Sequence, residues 1–206
     1  MASGVQTPTQ DTIQRIQRIQ TVTIVWMGVE AALSLLAAWT ARSPALLAFG
    51  GDSAIELISA VVVWRRFNAH DAQQEAESRA ARITGILLFA LAAYVLVAAA
   101  MTLLGRGEPK QSYLGIAVLI AAAAFMPWLA KDKRRLAVLI GSAALRADAA
   151  ESALCGYLSL IALAGLAVNA VWHVAWADSV AAICLVPFIV REAWEAVRGE
   201  AGECCS

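Results

Sequence analysis

Six long apolar runs, separated by short polar links, form the pattern of hydrophobic and polar positions along this chain of 206 residues. Each run is long enough to cross the roughly 30 Å hydrocarbon core of a bilayer as an α-helix of about 20 residues. We therefore predict an all-α integral membrane protein with six transmembrane helices. The predicted spans are residues 21–40, 44–64, 80–104, 112–130, 136–168 and 174–197.

The positions of lysine and arginine predict how these spans are oriented. With the N-terminus in the cytosol, twelve of the 16 basic residues fall on the cytosolic side, and only Arg42, Arg106 and Lys110 fall outside. Cytosolic loops carry the excess of Lys and Arg, so both termini are predicted to be cytosolic. Three segments follow: a cytosolic N-terminal segment (1–20), a six-helix transmembrane domain (21–198) and a short cytosolic tail with two cysteines (199–206).

The N-terminal segment contains the sequence TIQRIQRIQ, in which Ile13, Ile16 and Ile19 are three residues apart and Arg15 and Arg18 lie between them. This spacing predicts a short amphipathic helix on the membrane surface. A plain extension of the first span explains the same pattern equally well.

The composition excludes several classes of protein. Apolar residues make up 60% and charged residues 16%, whereas a soluble domain has about a quarter of its residues charged. The net charge is zero, which favours no nucleic-acid partner. The four cysteines have no disulfide-framework spacing, and no nucleophile–base pair or HExxH motif indicates an enzyme. The abundance of Ala and Leu favours a bacterial inner (plasma) membrane protein.

Two carboxylates, Asp52 and Glu56, lie four residues apart near the middle of the second span. Residues four apart stack on one face of a helix, so both acids point the same way. One acidic side chain at the centre of a membrane helix costs roughly 2.5 to 3.5 kcal/mol, so the pair costs about 5 to 7 kcal/mol if it faces lipid. The pair therefore needs a partner, and a cation is the natural candidate.

The fifth span carries a second such pair, Glu151 and Cys155, which are also four residues apart. Facing each other, the two pairs offer three carboxylates and one sulfur, enough for a four-coordinate ion. Cys155 by itself is equally well explained as a small buried apolar residue, and Cys184 in its apolar stretch is predicted to serve packing. For Arg146 and Asp148 a structural salt bridge, with each other or with a neighbour, is favoured over ligation.

Two further acids lie inside predicted spans. Glu30 falls near the middle of the first span. Asp178 lies close to the outer end of the sixth span, among Trp172, His173 and Trp176, where a solvated, interfacial role is favoured over a ligand role.

These segments resemble the cation diffusion facilitator (cation efflux) family over about residues 20–198. The stretch SPALLAFGGDSAIE (43–56) is similar to that family's second span, which follows a glutamate in the first, and LRADAAE (145–151) looks like its fifth-span motif. WAD (176–178) and REAWEAV (191–197) resemble its sixth span. The resemblance implies six spans with both termini inside, export of divalent cations in exchange for protons, and a homodimer.

On this resemblance Asp52, Glu56, Glu151 and Cys155 are the expected metal ligands, and Glu30 and Asp148 are positioning or proton-handling groups beside them. The chain departs from the family pattern, because Glu56 replaces the usual Asp, and Glu151 and Cys155 replace a His and an Asp. The set therefore has no nitrogen ligand. Zinc remains the first expectation for the cargo, followed by cadmium, iron, cobalt or manganese, and no resident cofactor is expected. The family's cytosolic C-terminal domain is expected to be missing.

Accessory metal sites are weaker expectations. Cys204 and Cys205 offer a thiol pair for soft metals, although a plain tail explains them as well and palmitoylation is a third alternative. His70 and Asp71, with Glu75, offer a loop site, although a solvated loop with one histidine is the favoured interpretation.

Two other functions remain open from the sequence. Glu30 in the middle of a first span is also compatible with a proton-coupled exporter of an organic cation. A metal-binding or partner-modulating membrane protein without turnover is the remaining class.

Overall fold

The computed structural model describes residues 10–68, 74–106, 109–140 and 143–198, which form six α-helices with no strand among them. The prediction of an all-α fold is confirmed. The helices are α1 (Gln10–Ala41), α2 (Pro44–Asn68), α3 (Gln74–Leu103), α4 (Tyr113–Ile140), α5 (Ala143–Trp172) and α6 (Ala175–Arg198).

Length and apolarity show that this is a membrane bundle. Among the described residues, four segments are long and apolar enough to cross a membrane: Gln10–Ala41, Arg82–Leu103, Tyr113–Ile140 and Asp148–Trp172. Many large apolar side chains face outward. Polar and charged side chains such as Glu30, Asp52 and Lys133 are instead buried inside. This arrangement is typical of an integral, multi-pass membrane protein.

Several helix boundaries differ from the predicted spans, and two of the differences concern charged segments. Residues 131–135 (KDKRR), predicted to link spans four and five, are a helical part of α4. Lys and Arg are good helix formers, so a run of charges at the end of a span extends the helix as readily as it ends it. At the other end of the chain, α1 runs unbroken from Gln10, so residues 10–20 extend the first helix instead of forming a separate one.

The turn between α1 and α2 is defined by its caps. Arg42 adopts a left-handed conformation (φ 53°), and the Ser43 amide bonds to the Ala38 carbonyl, which ends α1 in a Schellman motif. The Ser43 hydroxyl then accepts a bond from the Leu46 amide at 3.1 Å, and Pro44 takes the first helical position. The start of α2 is therefore encoded locally.

Helix α2 lies at the centre of the bundle, where it contacts α1, α3, α5 and α6. Two glycines permit this close packing. A Cβ atom on Gly50 would lie 2.8 Å from the Ser34 Cβ of α1, and one on Gly51 would lie 2.6 Å from the Leu91 side chain of α3. The next residue is Asp52, so the most closely packed part of α2 leads directly into the predicted site.

Candidate metal centre

Helix α2 presents Asp52 and Glu56 toward the bundle interior, and α6 contributes a third carboxylate, Glu192. One carboxylate oxygen from each of the three residues lies within 4.8 Å of the other two. Asp52 is 2% exposed, and Glu56 and Glu192 are half-buried. We call these three residues the carboxylate cluster.

Sequence reasoning overlooked Glu192. It falls within the predicted sixth span, but it lies close to the end that is predicted to be cytosolic, beside Arg191, and so resembles an ordinary interfacial charge. The signal that could have found it is an inventory of every acid inside the predicted spans, including those near their ends. Only the packing of α6 against α2 shows that Glu192 reaches the pair on α2.

The hydrogen bonds of the carboxylate cluster are incomplete. Oδ1 of Asp52 and Oε2 of Glu192 are buried, and neither has a hydrogen-bond partner among the described residues. Ionised carboxylates can only accept hydrogen bonds, so the three acids cannot satisfy one another while all are ionised. Buried unpaired acceptors of this kind need a proton or a cation.

Glu30 of α1, by contrast, is fully supplied with donors. The Trp26 Nε1 donates to its Oε2 at 2.6 Å, and the Ser53 hydroxyl donates to its Oε1 at 3.0 Å. The Cys155 thiol of α5 lies 3.4 Å from the same Oε1. Glu30 therefore ties α1 to α2 and α5 beside the carboxylate cluster.

The other two predicted ligands, Glu151 and Cys155 on α5, do not belong to the carboxylate cluster. They line a small cavity of about 20 Å³, and Glu56 lies in its wall as well. The remaining residues that line it are Thr23, Met27, Met126, Asp148 and Ser152. The structure thus brings three of the four predicted ligands to one cavity and joins the fourth, Asp52, to it through Glu56.

Asp148 pairs with a lysine of another helix and not with Arg146 of its own helix. The ammonium of Lys133, on α4, lies 2.8 Å from Oδ1 of Asp148 and 2.9 Å from the Ser152 hydroxyl. The Gln20 amide donates to Oδ2 of Asp148 at 2.7 Å. Lys133 is completely buried, whereas Arg146 is exposed. A lysine predicted to lie in a cytosolic link is therefore an internal counter-charge.

The prediction of a solvated, interfacial role for Asp178 is wrong, because this residue is only 1% exposed. The Ser43 hydroxyl donates to its Oδ1 at 2.6 Å, and the Ala45 amide lies 3.5 Å from its Oδ2. A carboxylate at a helix N-terminus satisfies free amides and complements the helix dipole. Asp178 of α6 therefore caps α2, and no local pattern places those two helix starts together.

The remaining predicted residues are Cys184 and the candidates for accessory metal sites. Cys184, predicted to serve packing, is exposed on α6. His70 and Asp71 lie outside the described residues, as do Cys204 and Cys205, and Glu75 lies in the first turn of α3.

The sequence matches the family model described as the cation efflux transmembrane domain, over residues 21–201 of the 206-residue chain. That range includes all six helices after the first turns of α1. No curated protein matches the chain at a significant level of similarity.

Proposed function

The chain belongs to the cation efflux family, and on that premise we propose that it exports a divalent transition-metal cation from the cytosol in exchange for protons. Zinc is the first candidate for the cargo. The observation that carries the proposal is the carboxylate cluster, because it has buried oxygens without a partner in the described part of the chain, inside a membrane bundle. A divalent cation is the partner that neutralises several such oxygens at once.

Asp52, Glu56, Glu151 and Cys155 are the proposed ligands from α2 and α5. Glu56 is the link between them, because it belongs to the carboxylate cluster and also lines the cavity beside Glu151 and Cys155. An ion moving between these positions would exchange carboxylate oxygens for a mixed oxygen and sulfur environment, which suits zinc and cadmium.

Proton exchange follows from the chemistry of the ligands. A metal binds carboxylates and thiols only after they lose their protons, so binding releases protons and protonation expels the metal. Alternate exposure of the site to the two sides of the membrane would then couple metal export to proton entry.

The neighbouring acids have supporting roles in this proposal. Glu30 is occupied by Trp26 and Ser53, so it positions α2 and the Cys155 thiol. Asp148 is paired with Lys133, so it holds α5 against α4 beside the cavity. We propose that two copies of the chain form a homodimer in a bacterial inner membrane, as the family resemblance and composition imply.

An organic cation is disfavoured as cargo by the size of the site. The cavity beside Glu56 holds about 20 Å³, which is close to the space that one water molecule requires. Glu30, the acid that would bind an organic cation, is 1% exposed behind its three donors. A space of this size suits a metal ion better than an organic cation, which supports a metal as the proposed cargo.

A flux assay in proteoliposomes tests the proposal. The purified full-length chain is reconstituted with a metal-sensitive dye and a pH-sensitive dye, and zinc, cadmium, manganese, iron and cobalt are supplied in turn. We expect metal movement with opposite proton movement for at least zinc. Asp52→Asn keeps the shape of the side chain but removes its charge, so its flux should fall to that of protein-free liposomes.

The matched control is Glu195→Gln on α6, whose partly exposed side chain pairs with Arg191 and does not belong to the carboxylate cluster. Its flux should match that of the unchanged chain. Equal zinc flux in Asp52→Asn and the unchanged chain would contradict the site assignment. Tight zinc binding without any flux would instead indicate a metal-binding protein without turnover.

A further inference from the structure

The proposed ligands on α2 and α5 give no role to Glu192. It comes from α6, and one of its carboxylate oxygens lies within 4.8 Å of an oxygen from both Asp52 and Glu56. Neither Glu151 nor Cys155 belongs to this group of mutually close ligand atoms. In the structure the third carboxylate beside the α2 pair therefore comes from α6 and not from α5.

The packing of α6 fixes this position. Ile189 lies three residues before Glu192, and Ala193 follows it directly. Both side chains are at most 1% exposed. A Cβ atom on Gly85 of α3 would lie 2.7 Å from the Ala193 carbonyl oxygen, so α3 and α6 are in close backbone contact beside Glu192. The carboxylate is held on the interior face of α6 instead of extending from a flexible end.

An unsatisfied, deeply buried acceptor points to a ligand at this place. Asp52 is 2% exposed, and its Oδ1 has no hydrogen-bond partner among the described residues. Oε2 of Glu192 is buried and unpartnered in the same way. A buried carboxylate oxygen without a donor costs free energy unless a proton or a cation occupies the space beside it.

We propose that Glu192 is a direct ligand of the transported divalent cation and completes, with Asp52 and Glu56, a site of three carboxylates. This inference rests on the proposed transport function and specifies its binding site. Three oxygen donors make a hard site, so the cargo class is a divalent cation that accepts carboxylate ligands, including manganese, iron, cobalt and zinc. Cadmium, which prefers sulfur, should gain least from Glu192.

Metal binding to the purified full-length chain in nanodiscs tests this proposal. Equilibrium dialysis with Zn²⁺, Mn²⁺ and Cd²⁺ gives the affinity of each ion for the unchanged chain and for variants at position 192. Loss of a residue that only supports a ligand typically weakens binding about 10- to 100-fold, so Glu192→Gln should weaken Zn²⁺ binding at least about 100-fold. Glu195→Gln, three residues away on the same helix, should leave it unchanged.

A change of selectivity separates a direct ligand from a residue that only holds α6 in place. Glu192→Cys puts a soft donor at the site, so the ratio of Cd²⁺ to Mn²⁺ affinity should rise at least about tenfold. Glu195→Cys adds a thiol to the same helix outside the carboxylate cluster and should leave the ratio unchanged. Elution as a single species from a sizing column selects the folded variants for both comparisons.

Three results would overturn the inference. Zn²⁺ affinity in Glu192→Gln equal to that of the unchanged chain would exclude Glu192 as a ligand and leave the transport proposal intact. Equal Cd²⁺ to Mn²⁺ ratios in Glu192→Cys and Glu195→Cys would do the same. An unchanged chain that binds and transports none of the metals would instead remove the proposed function itself.

Discussion

Charged side chains inside the bundle fall into two kinds according to their partners. Lys133 and Asp148 form an ion pair at 2.8 Å, and Asp178 accepts a hydrogen bond from Ser43 at the start of α2. Asp52 and Glu192 each keep a buried oxygen without a partner in the described part of the chain. The first kind holds helices together, and we propose that the second marks the place where a cation binds.

Removing the charge of Lys133 should destabilise the protein. Lys133→Met leaves Asp148 facing the cavity without its counter-charge, and breaking a buried ion pair costs about 3–5 kcal/mol. Because Asp148 is 28% exposed, we expect the lower end, about 3 kcal/mol. Unfolding by denaturant in mixed micelles measures the change, with the exposed Lys131→Met on the same helix as the control.

A double variant tests the physical reason for this loss. Lys133→Met combined with Asp148→Leu removes both charges, so it should recover most of the free energy of unfolding lost in Lys133→Met alone. Equal losses in the single and double variants would show that Lys133 stabilises the fold by packing and not by pairing with Asp148.

At the scale of helices, backbone contact between neighbours decides where the acids meet. Gly50 and Gly51 allow α2 to approach α1 and α3, and Gly85 allows α3 to approach α6. Small residues are the usual means of close helix approach in lipid, where apolar burial gives little net attraction. Because α2 contacts both α3 and α6, the spacing of these helices sets the distance between Asp52 and Glu192.

A side chain at Gly85 should therefore disturb both stability and the site. In Gly85→Ala the new Cβ would lie 2.7 Å from the Ala193 carbonyl oxygen, so α6 must shift, and overpacking of this kind costs about 1–3 kcal/mol. The midpoint of thermal unfolding and Zn²⁺ affinity should both fall. Gly28→Ala is the control, since its Cβ meets only the Leu57 side chain at 3.7 Å, an ordinary contact. Similar losses in the two variants would contradict the packing argument.

At the scale of the whole molecule, one end of the bundle is joined by short, mutually bonded links. The Lys110 amide bonds to the Ala41 carbonyl at 2.7 Å, and the Asn169 side chain bonds to the Pro109 carbonyl at 3.2 Å. The links after α1, α3 and α5 therefore lie together, and the basic segment 131–135 belongs to the helix that runs away from them. The excess of Lys and Arg predicts that the linked end faces away from the cytosol.

Reporter fusions test this orientation in cells. A fluorescent protein fused after Ser206 should fluoresce, because it folds in the cytosol, and alkaline phosphatase inserted after Lys110 should be active, because it requires the other side. A phosphatase fused after Ser206 serves as the reversed control and should be inactive. The opposite pattern of activities would invert the predicted topology.

The sequence by itself determined what depends on short stretches of chain. Apolar runs predicted six helices, the spacing of Asp52 and Glu56 predicted one acidic face, and local motifs indicated the family. Tertiary structure alone decided the partners across helices: Glu192 beside the α2 pair, Lys133 beside Asp148, and Asp178 at the start of α2. The physical reason is that apolarity and periodicity are local, whereas a contact between helices depends on the rotation and separation of both, which the packing of many distant residues sets together.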